Sequence, residues 1–284
     1  MSSTGGGSGA EYRIPAHRLP SGFVETISQA PSRPSEPREA ATVVLLRDGD
    51  EGPQALLLRR NRSAGFVPRA WVFPGGRVDP ADGEDALAER WTGLGREEAA
   101  TRLALPRDAS PPAIAYYGAA VREAIEETGL WPGVTHAGGA LGSDAAKAGR
   151  ERLLDEGATL AEVLGEIDAR LDGAALEYIA HWVTPVAEPR RYDTRFFAAR
   201  VPSDAVAHHD EREMTASVWL APQEALARHR EGRLPMIFPT IRTLEGLRGF
   251  GTVAELLAHF RGRAIPRQQP EIVRTADGVA LRME

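Results

Sequence analysis

With 284 residues, 42% of them hydrophobic, the chain has the material for one large packed domain or two small ones. Its formal net charge of −6 argues against general attraction to a nucleic acid backbone, while a local basic pocket for small anions stays open. Cysteine is absent, which removes disulfides, thiolate zinc sites and cysteine nucleophiles.

The Gly/Ser-rich opening "MSSTGGGSGA" and the proline-bearing "APSRPSEPREA" predict an arm over residues 1–38 with at most local structure. It lacks the charged-then-apolar layout of a secretory leader, and no apolar run approaches the roughly 20 residues that cross a bilayer. A cytoplasmic protein without membrane or nucleic acid partners is therefore expected. "ATVVLLRD" and "QALLLRR" read as two strands of a hairpin around "DGDEGP". A third short strand, "AWVF", runs directly into Pro74-Gly75-Gly76, where glycine opens backbone conformations closed to other residues.

From Glu84 to Ala104 the composition is helical, and "LPRDASPP" stops it. The prolines suit the entry of a new helix over "PPAIAYYGAAVREAIEET", and Gly129 suits its exit. Another helical block runs from about Ser143 to Leu171. "HWVTPVAEPRRYDTRFFAARV" then reads as two strands around a basic, proline-containing turn. "ASVWLAP" is a further strand, "PQEALARHREG" a helix, and "PTIRTLEGLRGFGTVAELLAHFRGR" a helical pair broken at Gly249 and Gly251. The tail, 266–284, is expected to be loop-like with one late strand, and no internal repeat is visible.

The stretch from Arg122 to Leu130, "REAIEETGL", places three glutamates in five positions. At about 100° per residue, Glu123, Glu126 and Glu127 fall within an arc of roughly 100°, while Tyr117, Val121, Ala124 and Ile125 take the packing side. Carboxylates so close repel one another unless a cation sits among them, and hard divalent ions such as Mg²⁺ or Mn²⁺ prefer oxygen ligands of this kind. Arg122, four residues before Glu126, can orient a carboxylate. The bland alternative is a solvated acidic face. His208-His209 invites a zinc reading, but adjacent histidines in a strand face opposite ways and no third ligand is evident.

Upstream, "FPGGRVDPAD" supplies a strand end, a double-glycine turn and two more carboxylates, Asp79 and Asp82. Helix and turn together resemble the Nudix hydrolase signature. That signature is a glycine, five residues, a glutamate, seven residues, then Arg-Glu, an apolar residue, any residue, Glu-Glu, any residue, Gly and an apolar residue. The second half is complete from Arg122 to Leu130; Gly76 takes the glycine position, and Asp82 stands where the family has glutamate. Between Asp82 and Arg122 lie 39 residues in place of seven, so an insertion must bulge out between the glycine loop and the helix. In this the chain is similar to the long-insertion Nudix subfamily that includes the animal peroxisomal coenzyme A diphosphatases. The likeness extends to "LLLRRNRSAGFVPRAWVFPGGRVDPAD", "WVTPVAEPRRYDTRFFAA" and "PTIRTLEGL". The C-terminal "RME" is not a peroxisomal address, so the cytoplasmic expectation stands.

The resemblance implies an α/β fold, the Nudix α/β/α sandwich with a mixed central sheet, as a hydrolase domain over 39–265. It carries helical insertions near 84–112 and 138–176, usable as a substrate lid or a homodimer contact, and a C-terminal helical extension. It also implies cleavage of the diphosphate linkage in a small nucleoside diphosphate derivative, with Mg²⁺ or Mn²⁺ as cofactor. Glu126 and Glu127 would be the principal metal ligands, with Glu123 a further ligand or the base that activates water. A backbone carbonyl of Gly75-Gly76 would complete the shell. Asp82 would reach the metal through water, or serve with Asp79 as a turn and cap residue. Arg122 joins the catalytic group, Glu213 is a candidate additional base, and Arg190, Arg191 and Arg69 are candidate substrate contacts.

Coenzyme A or acyl-coenzyme A is the leading substrate. The signature of the more compact coenzyme A diphosphatases is met by Leu56, Leu57, Phe73, Pro74, Gly75 and Gly76, and missed at Leu58, Asn61, Ala64, Gly65, Arg69 and Trp71. ADP-ribose, NADH and nucleotide sugars stay open, as does a Nudix-fold ligand-binding protein without catalysis. The Nudix isomerase acting on isopentenyl diphosphate resembles a cysteine-dependent chemistry and is set aside.

Overall fold

The computed structural model describes residues 11–15, 34–61, 69–136, 141–208 and 214–283. The chain opens with β1 (Tyr12–Pro15), the hairpin β2 (Arg38–Gly49) and β3 (Gly52–Arg60), β4 (Trp71–Val72) and β5 (Gly75–Arg77). A 3-10 turn (Pro80–Gly83) leads to α1 (Asp85–Ala88), β6 (Trp91–Thr92), α2 (Arg96–Leu103) and α3 (Ala113–Thr128). Next come β7 (Val134–His136), α4 (Ser143–Asp155), α5 (Leu160–Glu166), β8 (Ala169–Asp172), β9 (Leu176–Val183) and β10 (Tyr192–Arg200). β11 (Met214–Leu220), α6 (Pro222–Arg230), α7 (Phe238–Gly246), α8 (Val253–Phe260), β12 (Arg267–Gln268), β13 (Glu271–Thr275) and β14 (Gly278–Arg282) complete it.

Contacts divide the chain into a larger unit, 40–180 with 195–265, and a smaller one, 1–39 with 181–194 and 266–284. In the larger unit the strand order is β11-β3-β2-β10-β9, with β4 on β3 and β5 on β2. The strand period of two sorts the hairpin's apolar residues onto two faces. Ala41, Val43, Leu45, Leu56 and Leu58 join Tyr117, Val121, Ala124 and Ile125 of α3 in one core. Val44, Leu46, Ala55 and Leu57, equally buried, point to the opposite side of the sheet, and α6 packs on β3. Burying such a Leu or Val contributes about 1.5–3 kcal/mol, so two covered faces are what these near-continuous apolar strands demand. An α/β fold with the glutamate helix on one side of the sheet results.

The helix α3 begins after Pro112 and ends at Gly129, whose φ of 69° is open to glycine at no steric cost. Within it Gly118 permits a close approach: a Cβ there would stand 2.7 Å from the carbonyl oxygen of Asp82 and 2.9 Å from Leu87 Cδ2. The 3-10 turn can therefore lie directly on the helix.

The insertions are less purely helical than their composition predicts. Between Glu84 and Ala104 the helix breaks at Trp91–Thr92, where Trp91 is buried and Gly93 adopts φ 66°. β6 pairs in parallel with β8, and β7 pairs antiparallel with the other edge of β8, so the two insertions join through β6 and β8 in a three-stranded sheet that β7 completes. Tertiary pairing overrides helix propensity there.

The smaller unit holds a three-stranded antiparallel sheet, β1-β14-β13. Residues 12–15 are thus paired, and the tail forms three strands where its composition predicts one. In the same unit β12 runs parallel to His181 and Trp182, and His181 Nε2 lies 2.7 Å from Asp193 Oδ1. No described helix is long and apolar enough to cross a membrane.

Candidate active site

The site is built where β5 and the 3-10 turn meet the last two turns of α3. β5 pairs with β2 through Gly75↔Thr42 and Gly76↔Ala41, which sets the double-glycine turn at one height on the sheet. Gly75 N donates to Glu127 Oε2 at 3.1 Å. A Cβ on Gly76 would stand 2.5 Å from Glu123 Cδ, so the carboxylate occupies the space a side chain would need. The two glycines and the glutamate face of α3 therefore meet, as the sequence spacing required despite the insertion.

Arg122 stands among the acids. Its Nη1 donates to Glu123 Oε1 at 2.8 Å and to Glu126 Oε2 at 3.0 Å. Nε and Nη2 donate to Asp82 Oδ1 and Oδ2 at 2.9 and 3.0 Å, and Nη2 also reaches the Arg77 carbonyl at 2.9 Å. The fork geometry matches Asp82 bidentately, the strongest form of such a pair. Asp82 is itself held: its Oδ2 accepts from Asp79 N at 2.8 Å, and Asp79 Oδ1 accepts from Ala81 N at 3.0 Å, a reciprocal capping box. Of the two roles left open for Asp79 and Asp82, the structure displays the turn and cap role, with Asp82 in addition anchoring Arg122.

Burial dominates the electrostatics. It pushes the Glu126 carboxyl up to about 7, with Arg122 pulling it down and Glu123 adding to the rise. Asp82, only 2% exposed at its side chain, is likewise raised by burial against the opposing pull of Arg122. Burial alone would lower the Arg122 guanidinium, but its bonds to Asp82 and the charges of Glu123 and Glu126 outweigh that and raise it.

The donor set fits a hard divalent ion in kind: carboxylate oxygens of Glu123 and Glu127 beside the backbone of Gly75-Gly76, and of Glu126 on Arg122, with no soft ligand. In the arrangement as it stands the guanidinium is the cation between Glu123 and Glu126, and no three acidic or histidine side chains among the described residues converge on one point as a metal site.

Arg69, with φ 62°, lines a cavity at the end of β3. Arg190 and Arg191 belong to the smaller unit. There Arg190 is exposed, and Arg191 is buried, donating from Nε to the Thr184 carbonyl at 3.2 Å and from Nη1 to the Ser35 carbonyl at 2.8 Å. Glu213 lies outside the described residues.

One contributor goes unremarked in the sequence. Arg150, on α4, donates from Nε and Nη2 to the Glu126 carbonyl at 3.1 and 2.8 Å, covering the C-terminal end of α3 with positive charge. No local pattern marks it, since the pairing is made by folding the second insertion onto the helix. Arg150→Ala should cost about 1.5–3 kcal/mol, read as a lowered melting temperature; an unchanged value would show that the contact holds nothing.

A family model described as the NUDT19 Nudix domain matches residues 37–247. The acyl-coenzyme A diphosphatase NUDT19 of Homo sapiens is 28% identical over 267 residues, spanning 81% of this chain and 70% of the relative. That of Gallus gallus is also 28% identical, over 298 residues, 85% of this chain and 76% of its own. Among solved structures, a NUDIX hydrolase from Alicyclobacillus acidocaldarius superposes with a TM-score of 0.63 at 27% identity, covering 79% of this chain and 96% of that one. With the family model spanning the hairpin, the double-glycine turn and the glutamate helix in their expected order, the chain belongs to the NUDT19 Nudix domain family and is a Nudix pyrophosphohydrolase.

Proposed function

We propose that the chain is a divalent-metal-dependent hydrolase that cleaves the diphosphate linkage of coenzyme A or acyl-coenzyme A. The observation that carries the reading is the placement of Glu123 and Glu127 against the Gly75-Gly76 turn, with Arg122 held between Glu123 and Glu126. In this reading Glu126 and Glu127 hold Mg²⁺ or Mn²⁺, and Glu123 is a further ligand or the base. The metal, when bound, neutralises charge building on the diphosphate and activates water. Arg122 positions the Glu123 and Glu126 carboxylates, and Asp82 keeps the guanidinium from swinging away. The bare Gly76 lets the Glu123 carboxylate lie against the turn. Residues 39–265 form the hydrolase domain, and the named acyl-coenzyme A diphosphatases, similar over most of the chain, support the substrate.

The test is a panel of coenzyme A, acyl-coenzyme A, ADP-ribose, NADH and a nucleotide sugar, assayed with Mg²⁺ or Mn²⁺. The expected outcome is release of 3′,5′-ADP from coenzyme A, abolished by a chelator and restored by added metal. Turnover of another member alone would keep the reaction and reject the substrate. Retained ligand binding with no turnover at all would reject the hydrolase reading in favour of a binding protein.

A further inference from the structure

In the larger unit, the end of β3, the start of β4 and the segment after α6 enclose a cavity of about 450 Å³. Four arginines line it, Arg59, Arg60, Arg69 and Arg233, and no carboxylate does so among the described residues. The backbone around it is tied down: β4 pairs with β3 through Arg59↔Trp71, and Trp71 N donates to the Pro235 carbonyl at 2.8 Å. The volume falls in the range of small-molecule sites.

The arginines differ in how they are held. Arg59 donates from Nε to Thr215 Oγ1 at 2.9 Å, and its guanidinium lies 5.9 Å from the centroid of the Trp71 ring. Arg60 Nε is buried, with no hydrogen-bond partner among the described residues. Arg69 holds φ 62°, a conformation uncommon for a residue with a Cβ and of the kind that collects at ligand sites. Arg233 meets Glu231, but both side chains are more than half exposed, and such surface pairs contribute little. Guanidinium groups match phosphate oxygens bidentately. Four of them around one concavity, in a chain of net charge −6, are a local field with a ligand's sign written into it.

We propose that this cavity is a phosphomonoester-binding site. A terminal phosphate presents three acceptor oxygens, enough to engage several guanidinium groups at once. From Trp71 to Gly75, whose N–H meets Glu127, the chain can span at most about 14 Å. A ligand whose diphosphate lies at the glutamates can therefore carry a second phosphate toward the cavity. Two sources share this chemistry: a phosphomonoester on the substrate itself, such as a ribose 3′-phosphate, or a free phosphate acting alone. The first source rests on the coenzyme A reading above; the pocket itself does not.

The full chain, without added metal, is titrated calorimetrically with adenosine 3′,5′-bisphosphate, ADP and inorganic phosphate, beside Arg69→Gln and Arg233→Gln, both exposed positions chosen to spare the fold. Melting temperatures are followed in parallel. The bisphosphate should bind the parent chain and weaken about tenfold or more in each variant. No binding to the parent, or equal binding across the three proteins, would overturn the proposal. The source is then read from turnover. A KM raised about tenfold for coenzyme A alone in Arg233→Gln, with kcat and dephospho-coenzyme A unchanged, assigns the phosphate to the substrate. Unchanged KM for both, with inorganic phosphate binding lost, assigns it to a free anion. Should neither coenzyme be hydrolysed, the coenzyme A reading fails while the titration still decides the pocket.

Discussion

Glu127→Gln should lower kcat by about 10³-fold, equivalent to about 4 kcal/mol of transition-state stabilisation, with the fold intact. Glu127 is 7% exposed, and its Oε2 accepts from Gly75 N. A glutamine carbonyl accepts the same hydrogen bond, so the substitution removes the negative charge and little else. Glu126→Gln should behave alike, because its amide oxygen can still accept from Arg122 Nη1. Steady-state kinetics with a metal titration, beside thermal unfolding, make the comparison. Activity within about tenfold of the parent in both variants would remove these carboxylates from the chemistry.

The two glycines of the turn should separate stability from activity. A Cβ on Gly75 would stand 2.5 Å from the Ala41 carbonyl oxygen and 2.8 Å from Thr42 Cα, both backbone atoms of the neighbouring strand. Gly75→Ala should therefore cost about 1–3 kcal/mol of stability, because a strand and not a side chain must move. At Gly76 the obstacle is the end of the Glu123 side chain, which can swing aside. Gly76→Ala should leave the melting temperature nearly unchanged and reduce kcat about 10²-fold, the scale of loss that follows a misplacement of about 1 Å in a catalytic group. Denaturant unfolding and initial rates on both variants give the answer. Equal effects of the two substitutions on both readouts would contradict the placement of Glu123 beside Gly76.

Much of the fold is legible in the residues. The hairpin, the turn into Pro74-Gly75-Gly76, the helix from Pro112 to Gly129 and the helical pair broken at Gly249 and Gly251 all follow from patterns that act within a few residues. The misses share a cause. β6 and β8 are strands of two and four residues in segments with helical composition, and they exist because they pair with each other from separate insertions, with β7 on the other edge of β8. The strands of the tail likewise draw their hydrogen bonds from each other and from Tyr12–Pro15 near the other end of the chain.

The site divides along the same line. Periodicity alone puts Glu123, Glu126 and Glu127 on one face of a helix, since 100° per residue is a local property of the backbone. The sequence also names their partners in order, Gly75, Gly76 and Asp82, through the family signature. It does not say how a turn separated by a long insertion returns to that face. Packing decides that: Gly118 lets the Asp82 carbonyl lie on the helix, and Asp82, once there, grips Arg122 one turn later. The guanidinium can then reach Glu123 and Glu126 together. Arg150 covering the Glu126 carbonyl and the four arginines around one cavity are decided the same way. Charges far apart in the chain become neighbours only when the apolar faces beneath them close, and the hydrophobic energy that drives this carries no local signature.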